Sequence, residues 1–366
     1  MTLNEQLAAL RDRHRYRALA PRCGVDFSSN DYLGLAGSAR LRGAVARALD
    51  RGVPVGSGGS RLLRGNDPEH EALEAEAAAF LGGEAALFLG SGYGANATLL
   101  ATLPQAGDLV VHDALIHASA HEGMRLGRAE CVAAVHNDAG AVEDAIVAWR
   151  ARGGMGTPWI AVESLYSMDG DRAPLAQLAA VAARYGAMLL IDEAHATGVF
   201  GPDGQGLAAE LHGCENVVRL HTCGKALGCE GALVVGPAVV RDMLVNRGRG
   251  FIFSTAPSPL MAAAVREALA ILVDEPERRM RLHALIGEAE ALLGVSTGSP
   301  ILPIVLGDDA RTMQVAAAVQ AAGYDVRGIR PPTVPAGTSR LRVSVTLNVG
   351  SGDVQGLAAA LAEALR

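Results

Sequence analysis

The chain has 366 residues, half of them hydrophobic, and a formal net charge of −7, enough to bury one large core and a smaller one. No run of Lys and Arg offers a nucleic-acid footprint, and no uncharged apolar stretch reaches the roughly 18 residues a bilayer span needs. The charged, amphipathic start "MTLNEQLAALRDRHRYRAL" has no apolar signal segment. Five scattered cysteines (Cys23, Cys131, Cys214, Cys223 and Cys229) read as the reduced thiols of a cytoplasmic protein.

Along the chain, short apolar runs predict buried strands: "AALFLG" (85–90), "DLVVHD" (108–113), "CVAAVH" (131–136), "WIAVES" (159–164), "AMLLID" (187–192), "NVVRLH" (216–221) and "GALVVG" (231–236). Stretches of helical period lie between most of them, as at 67–82 and 175–186. Alternation of this kind predicts a mostly parallel sheet covered on both faces. Beyond "FIFSTAPSP" (251–259) a long helical stretch runs to about residue 292. A strand (300–307), a helix (309–323), a strand (339–347) and a last helix (352–365) follow, which reads as a small α+β domain.

Of 32 basic residues, Lys225 is the only lysine. A composition this poor in lysine has a bland explanation in nucleotide usage. A sharper one is that arginine cannot replace Lys225, because a lysine amine can lose its proton and form a Schiff base and a guanidinium cannot. Lys225 sits in the glycine turn "HTCGKALG", just after an apolar run, which favours the sharper reading.

The motif "IDEAH" (191–195) invites a nucleotide-binding interpretation. That would require a phosphate loop of the form G-x-x-x-x-G-K-[ST]. Lys225 is followed by Ala226 and position 219 is arginine, so the loop is missing. The strand ends supply a different set. "LFLGSGYGAN" runs strand, glycine turn, helix, so its backbone N–H groups at residues 91–93 can cradle an anion. Asp192 ends one strand with His195 three residues on, Thr222 and Lys225 follow another, and His117 lies just past a third. Taken singly, Asp192 could be a helix cap and His117 a satisfied core histidine. Together they provide a phosphate cradle, a buried acid, an amine and an imidazole to stack on a ring, which fits pyridoxal 5′-phosphate.

The chain resembles the α-oxoamine synthases, pyridoxal-phosphate enzymes of fold type I, along nearly its whole length. The resemblance rests on "SSNDYLGLA" (28–36), "GSGGSRLLRGNDPEHEALE" (56–74), "SGYGAN" (91–96), "HASAHEG" (117–123), "VHND" (135–138), "ESLYSMDGDRAPL" (163–175), "IDEAHATGVFG" (191–201), "TCGKALG" (222–228), "FIFSTAPSP" (251–259) and "GIRPPTVPAGTSRLRVSVT" (328–346). It implies an N-terminal segment (1–40), a large cofactor-binding domain (41–270), a small α+β C-terminal domain (271–366) and a homodimer.

It also implies roles. Lys225 would carry the cofactor and act as acid–base, Asp192 would hold the pyridine nitrogen protonated, and His117 would stack on the ring. His195 and Ser167 would contact the phenolic oxygen. Gly92, Tyr93 and Thr222 would bind the phosphate, with Thr255 contributing from a second subunit. Asn30 and Arg342 would hold an amino-acid carboxylate, and Arg330 would move when the acyl group arrives. Because "SRLRVS" alternates, Arg340 and Arg342 share one face and the pattern does not separate them.

The "IRPPTVP" segment points to the branch that condenses L-alanine with a pimeloyl thioester, on coenzyme A or acyl carrier protein, giving 8-amino-7-oxononanoate, CO₂ and free thiol. A glycine-using acetyltransferase or a serine-using palmitoyltransferase would share every cofactor residue. Only 29 residues precede Asn30, fewer than the family usually carries, which leaves little room for an N-terminal β-ribbon. With a net charge of −7, attraction for an acidic donor would have to come from local arginines such as Arg247 and Arg249.

Overall fold

The computed structural model describes residues 2–19 and 21–366. Two compact units emerge, the larger made of Leu33–Tyr166 and Arg172–Pro276. Its centre is a seven-stranded sheet built from β1 (Ala85–Leu89), β2 (Leu109–Asp113), β3 (Glu130–Ala134), β4 (Pro158–Glu163), β5 (Met188–Asp192), β6 (Val217–Thr222) and β7 (Ala232–Gly236). The spatial order is β1-β7-β6-β5-β4-β2-β3. Strands β2 to β6 pair parallel, and β7 runs antiparallel to both β1 and β6.

The apolar runs become strands for the reason that made them legible: helices cover both sheet faces, so both side-chain sets are buried. One core packs Leu87, Val110, Trp159, Leu190, Val218 and Leu220 against the helices Gly92–Thr102 and Ala118–Leu126. The other packs Val111, Ile160, Val162, Ile191 and Val217 against Ala139–Ala151 and Leu175–Tyr185. Strand β3 corrects one expectation. It forms the sheet edge, and three of its five residues are exposed. The long helix expected to about residue 292 is two helices, Pro259–Asp274 and Glu277–Leu293, with Pro276 between them. Proline lacks the N–H that a continuous helix would need there.

The smaller unit takes in the chain up to Tyr32, Ser167–Asp171 and Glu277–Arg366. It contains a three-stranded antiparallel sheet, with Ser339–Ser344 between Arg327–Ile329 and Ile301–Gly307. The helices Asp309–Ala321 and Ser351–Ala364 belong to the same unit, and Val25–Asp26 pairs parallel with Tyr324–Asp325. The described N-terminal residues form a helix, Leu3–Asp12, capped by Thr2 through a reciprocal capping box with Glu5.

Period-two alternation divides the tips of β5 and β6 between the faces. Asp192, Leu220 and Thr222 share the face of the first core, while Glu193, Arg219 and His221 fall on the second. Glu193 is fully buried. Its two oxygens accept the N–H groups of Leu207 (2.9 Å) and Ala208 (2.6 Å). His221 Nδ1 meets the Thr197 hydroxyl at 2.9 Å, and Arg219 donates to the Gly82 carbonyl at 3.1 Å.

Burial pushes the Glu193 carboxyl up from 4.5 to about 7, against the pull of those N–H groups and of Arg219. A carboxyl raised in the folded state stabilises most below its unfolded value, and the contribution fades as pH rises through the folded one. The urea midpoint should therefore carry a component that declines between about pH 4.5 and 7. Glu193→Gln should flatten that decline, and an identical pH profile in the variant would show that other groups set it.

Candidate active site

Lys225 is presented by a closed turn. The Gly228 N–H donates to the Lys225 carbonyl (2.8 Å), the Cys229 N–H to Cys223 (2.8 Å) and the Cys223 N–H to Gly231 (2.9 Å). Gly228 has φ of +64°, and a Cβ there would lie 2.3 Å from the Ala36 backbone nitrogen. The turn thus needs glycine for both its conformation and its close approach.

Lys225 lines a cavity with Gly92, Tyr93, His117, Asp192, His195 and Thr222. These are the strand-end residues that the sequence singled out within this unit. At Gly92 the helix Gly92–Thr102 begins, capped by Ser91, whose hydroxyl accepts the Gly94 N–H at 3.1 Å. That leaves the N–H groups of the first turn directed outward, as an anion requires. A Cβ on Gly92 would come within 3.1 Å of the Thr222 hydroxyl, so glycine keeps that corner open.

Asp192 is 6% exposed. One oxygen accepts the Ala194 N–H at 2.9 Å and the other the Asn96 amide at 2.6 Å. Both partners are neutral donors, so dipoles orient a buried carboxylate towards the cavity that Lys225 also lines. His117 caps the helix Ala118–Leu126, and its Nδ1 accepts the Ser119 N–H at 3.2 Å. The ring itself is exposed, as stacking on a bound ring demands. Desolvation holds its pKa below the usual histidine value, with Asp192 opposing and Lys225 assisting. Sequence reasoning missed Asn96, Ser119 and Glu163, which also line the cavity. Asn96 stands one helical turn beyond Gly92, the only local signal that could have found it.

The remaining expected residues lie elsewhere. Thr255 is exposed and is not among the lining residues. Asn30, Ser167, Arg330 and Arg342 belong to the smaller unit. There Arg342 is 6% exposed, and its guanidinium donates to the Ser167 carbonyl (2.6 Å), the Ser344 hydroxyl (2.6 Å) and Asn30 Oδ1 (3.0 Å). The Tyr32 hydroxyl donates to the same Asn30 oxygen at 3.1 Å. Burial pushes Tyr32 up to about 12, with Arg342 pulling the other way. Arg340 instead forms an ion pair with Asp169. Arg330 donates to the Tyr16 carbonyl at 2.9 Å. Burial lowers its pKa, Arg17 and Arg15 add to the drop, and Asp309 opposes it.

A model of the family "Aminotransferase class I and II" matches residues 23–361. The chain belongs to that family. It is 46% identical over 349 residues to the 8-amino-7-oxononanoate synthase of Anaeromyxobacter dehalogenans (strain 2CP-1), spanning 93% of this chain and 86% of the relative. To the enzyme of that name from Burkholderia thailandensis it is 44% identical, over 92% of this chain and 88% of the relative. A serine palmitoyltransferase from S. paucimobilis with a bound PLP–myriocin aldimine superimposes with a TM-score of 0.87 at 28% identity, covering 99% of this chain and 96% of that one. An 8-amino-7-oxononanoate synthase from Francisella tularensis gives a TM-score of 0.77 at 26% identity, over 93% and 98% of the two chains. The fold is that of the type I pyridoxal-phosphate transferases within this family.

The turn that presents Lys225 is the most constrained element of the site. Gly228→Ala should cost at least about 1–2 kcal/mol from its left-handed φ alone, and more from the collision with Ala36. Denaturant midpoints should drop accordingly. An alanine variant as stable as the parent would mean that the turn relaxes without strain.

Proposed function

We propose that the chain uses pyridoxal 5′-phosphate to condense L-alanine with a pimeloyl thioester, releasing CO₂ and the free thiol and forming 8-amino-7-oxononanoate, a reaction of biotin synthesis. The observation that carries the cofactor assignment is that the only lysine lines one cavity with a buried aspartate and the start of a helix. The donor set fits the group: an anion cradle for the phosphate, a carboxylate for a protonated ring nitrogen, and an amine for the aldehyde. The substrate assignment draws on relatives 40–46% identical across most of the chain. Structural neighbours named for serine palmitoyltransferase are 28–31% identical, below the curated relatives, which disfavours that alternative.

When bound, the cofactor supplies an electron sink for the carbanion at the alanine α-carbon. The chain's residues do the rest. Lys225 would hold the cofactor until the alanine amine displaces it, and the freed amine would take the α-proton. Asp192 would face the ring nitrogen and favour its protonated form. His195 and Ser167 are proposed for the phenolic oxygen, and the N–H groups of Gly92 and Tyr93 with the Thr222 hydroxyl for the phosphate. The α-carbon bonds to the acyl carbon as the thiolate leaves. The carboxyl carbon then departs as CO₂, and Lys225 returns a proton to the α-carbon. Arg342 with Asn30 is proposed to hold the alanine carboxylate. Arg340 is the weaker candidate, because Asp169 already neutralises it. Arg330, beside Arg15 and Arg17 and without a carboxylate of its own, is proposed to act when the acyl donor arrives.

We further propose a cytoplasmic homodimer. No described helix is long and apolar enough to cross a membrane. A groove of about 860 Å³ carries the exposed side chains of Tyr93, Leu126 and Phe253, an apolar surface that a second copy would cover. That copy would also bring its Thr255 towards the phosphate. Arg128, Arg247 and Arg249 line the same groove and offer positive charge to a coenzyme A or acyl-carrier-protein donor.

Borohydride reduction of the yellow, loaded protein should fix the cofactor on one peptide, that containing Lys225. Label confined to the N-terminal amine, or no label, removes the cofactor assignment. The arginines should separate in binding experiments. Losing a charged hydrogen bond of this kind costs about 1.5–3 kcal/mol, roughly 10- to 150-fold in affinity. Arg342→Ala should weaken alanine binding, followed spectroscopically without donor, by about that factor. Arg330→Ala should spare it and impair the donor-dependent step. Equal loss of alanine binding in both, with the donor step intact, would make them one static carboxylate site.

A further inference from the structure

We propose that Asn96 is a positioning residue: through Ser119 it joins Asp192 to His117 in one hydrogen-bonded chain that orients the Asp192 carboxylate and holds His117 as the neutral tautomer protonated at Nε2. Asn96 is 3% exposed and Ser119 1%. The Asn96 amide nitrogen spends its two hydrogens on Asp192 (2.6 Å) and the Ser119 hydroxyl oxygen (3.1 Å). Its own oxygen is buried without a hydrogen-bond partner. Turning the amide over would set that oxygen against the Asp192 carboxylate, so electrostatics fixes the orientation.

The consequence passes along the chain. The Ser119 oxygen accepts from Asn96 and can turn its single hydrogen towards His117 Nδ1, 2.8 Å away. The Ser119 backbone N–H points at the same nitrogen from 3.2 Å, and a backbone N–H cannot reverse its role. Two donors therefore converge on Nδ1, and the imidazole proton belongs on Nε2. Asp192 and Lys225 are the charged groups acting on His117. They act in opposite directions, and His121 on the same helix also interacts with His117; the backbone N–H at Nδ1 decides the tautomer. A neutral His117 can lie against a cationic ring without repulsion. Asp192, oriented by Asn96, would face the ring nitrogen. This significance rests on the cofactor reading above, but the chain of bonds is formed by the protein alone.

The test therefore begins with the cofactor-free protein. In protein labelled with ¹⁵N-histidine, two-bond nitrogen–proton spectra at neutral pH should show His117 protonated at Nε2. Ser119→Ala and Asn96→Ala should each move His117 towards a mixture of tautomers and raise the pH at which it titrates. Ser119→Thr, which keeps the hydroxyl, should restore the parent spectrum. Asn96 does not touch His117, so a role in packing alone would leave those signals unchanged. Ser119→Ala removes one oxygen and provides the readout should Asn96→Ala unfold. In the loaded protein, the pH at which the visible band changes should shift in Asn96→Ala. The proposal is overturned if parent His117 is protonated at Nδ1 or cationic at neutral pH, or if the folded variants leave its signals in place. Failure of the borohydride experiment would remove the cofactor reading without altering the His117 spectra.

Discussion

A buried carboxylate held by neutral donors organises this site. Asp192 is sealed at the end of β5, and its partners are a backbone N–H and a side-chain amide. Dipoles of this kind soften the cost of burial without cancelling the charge. The next residue, Glu193, is an acid as well, but the alternation of the chain sends it to the opposite face, where Arg219 acts on it. One strand tip thus carries two acids in different circumstances. Of the two, Asp192 lines the cavity. The helix Gly92–Thr102 serves it twice, giving an outward-facing first turn for an anion and, one turn later, the Asn96 amide that steadies the acid.

Much of this was legible because the relevant residues occupy positions that local rules describe. Lys225, Asp192 and Thr222 sit where an apolar run stops, and Gly92 sits where a strand turns into a helix. Parallel strands of a doubly covered sheet end along one edge, so residues far apart in sequence converge without any tertiary detail. Strand β3 shows where that reasoning fails. "CVAAVH" is as apolar as its neighbours, yet it forms the sheet edge, because strand order is not written in hydropathy.

Asn96 and Ser119 mark a second limit. An asparagine four residues into a helix usually reads as a neutral surface residue or a poor helix former. Its meaning here depends on a partner 96 positions away. Ser119 depends likewise on the rotation of an imidazole two residues earlier. Hydrogen bonds that cross elements leave almost no trace in a single sequence. The residues they tie together can be found while the ties cannot.

The pair Arg340 and Arg342 makes the same point about charge. They are two apart in one strand, share a face and are both buried, so pattern treats them as equivalent. Their partners do not. Asp169 neutralises Arg340, whereas Arg342 donates to a carbonyl, a hydroxyl and an amide oxygen, all uncharged. A guanidinium whose buried partners are neutral retains its positive charge and its appetite for a carboxylate. Asp192 carries the opposite charge, and its hydrogen-bond donors are a backbone N–H and an amide, with Lys225 lining the same cavity. In both cases dipoles fix the geometry of a charged group. A guanidinium and a carboxylate held in this way are oriented before a ligand of opposite sign arrives.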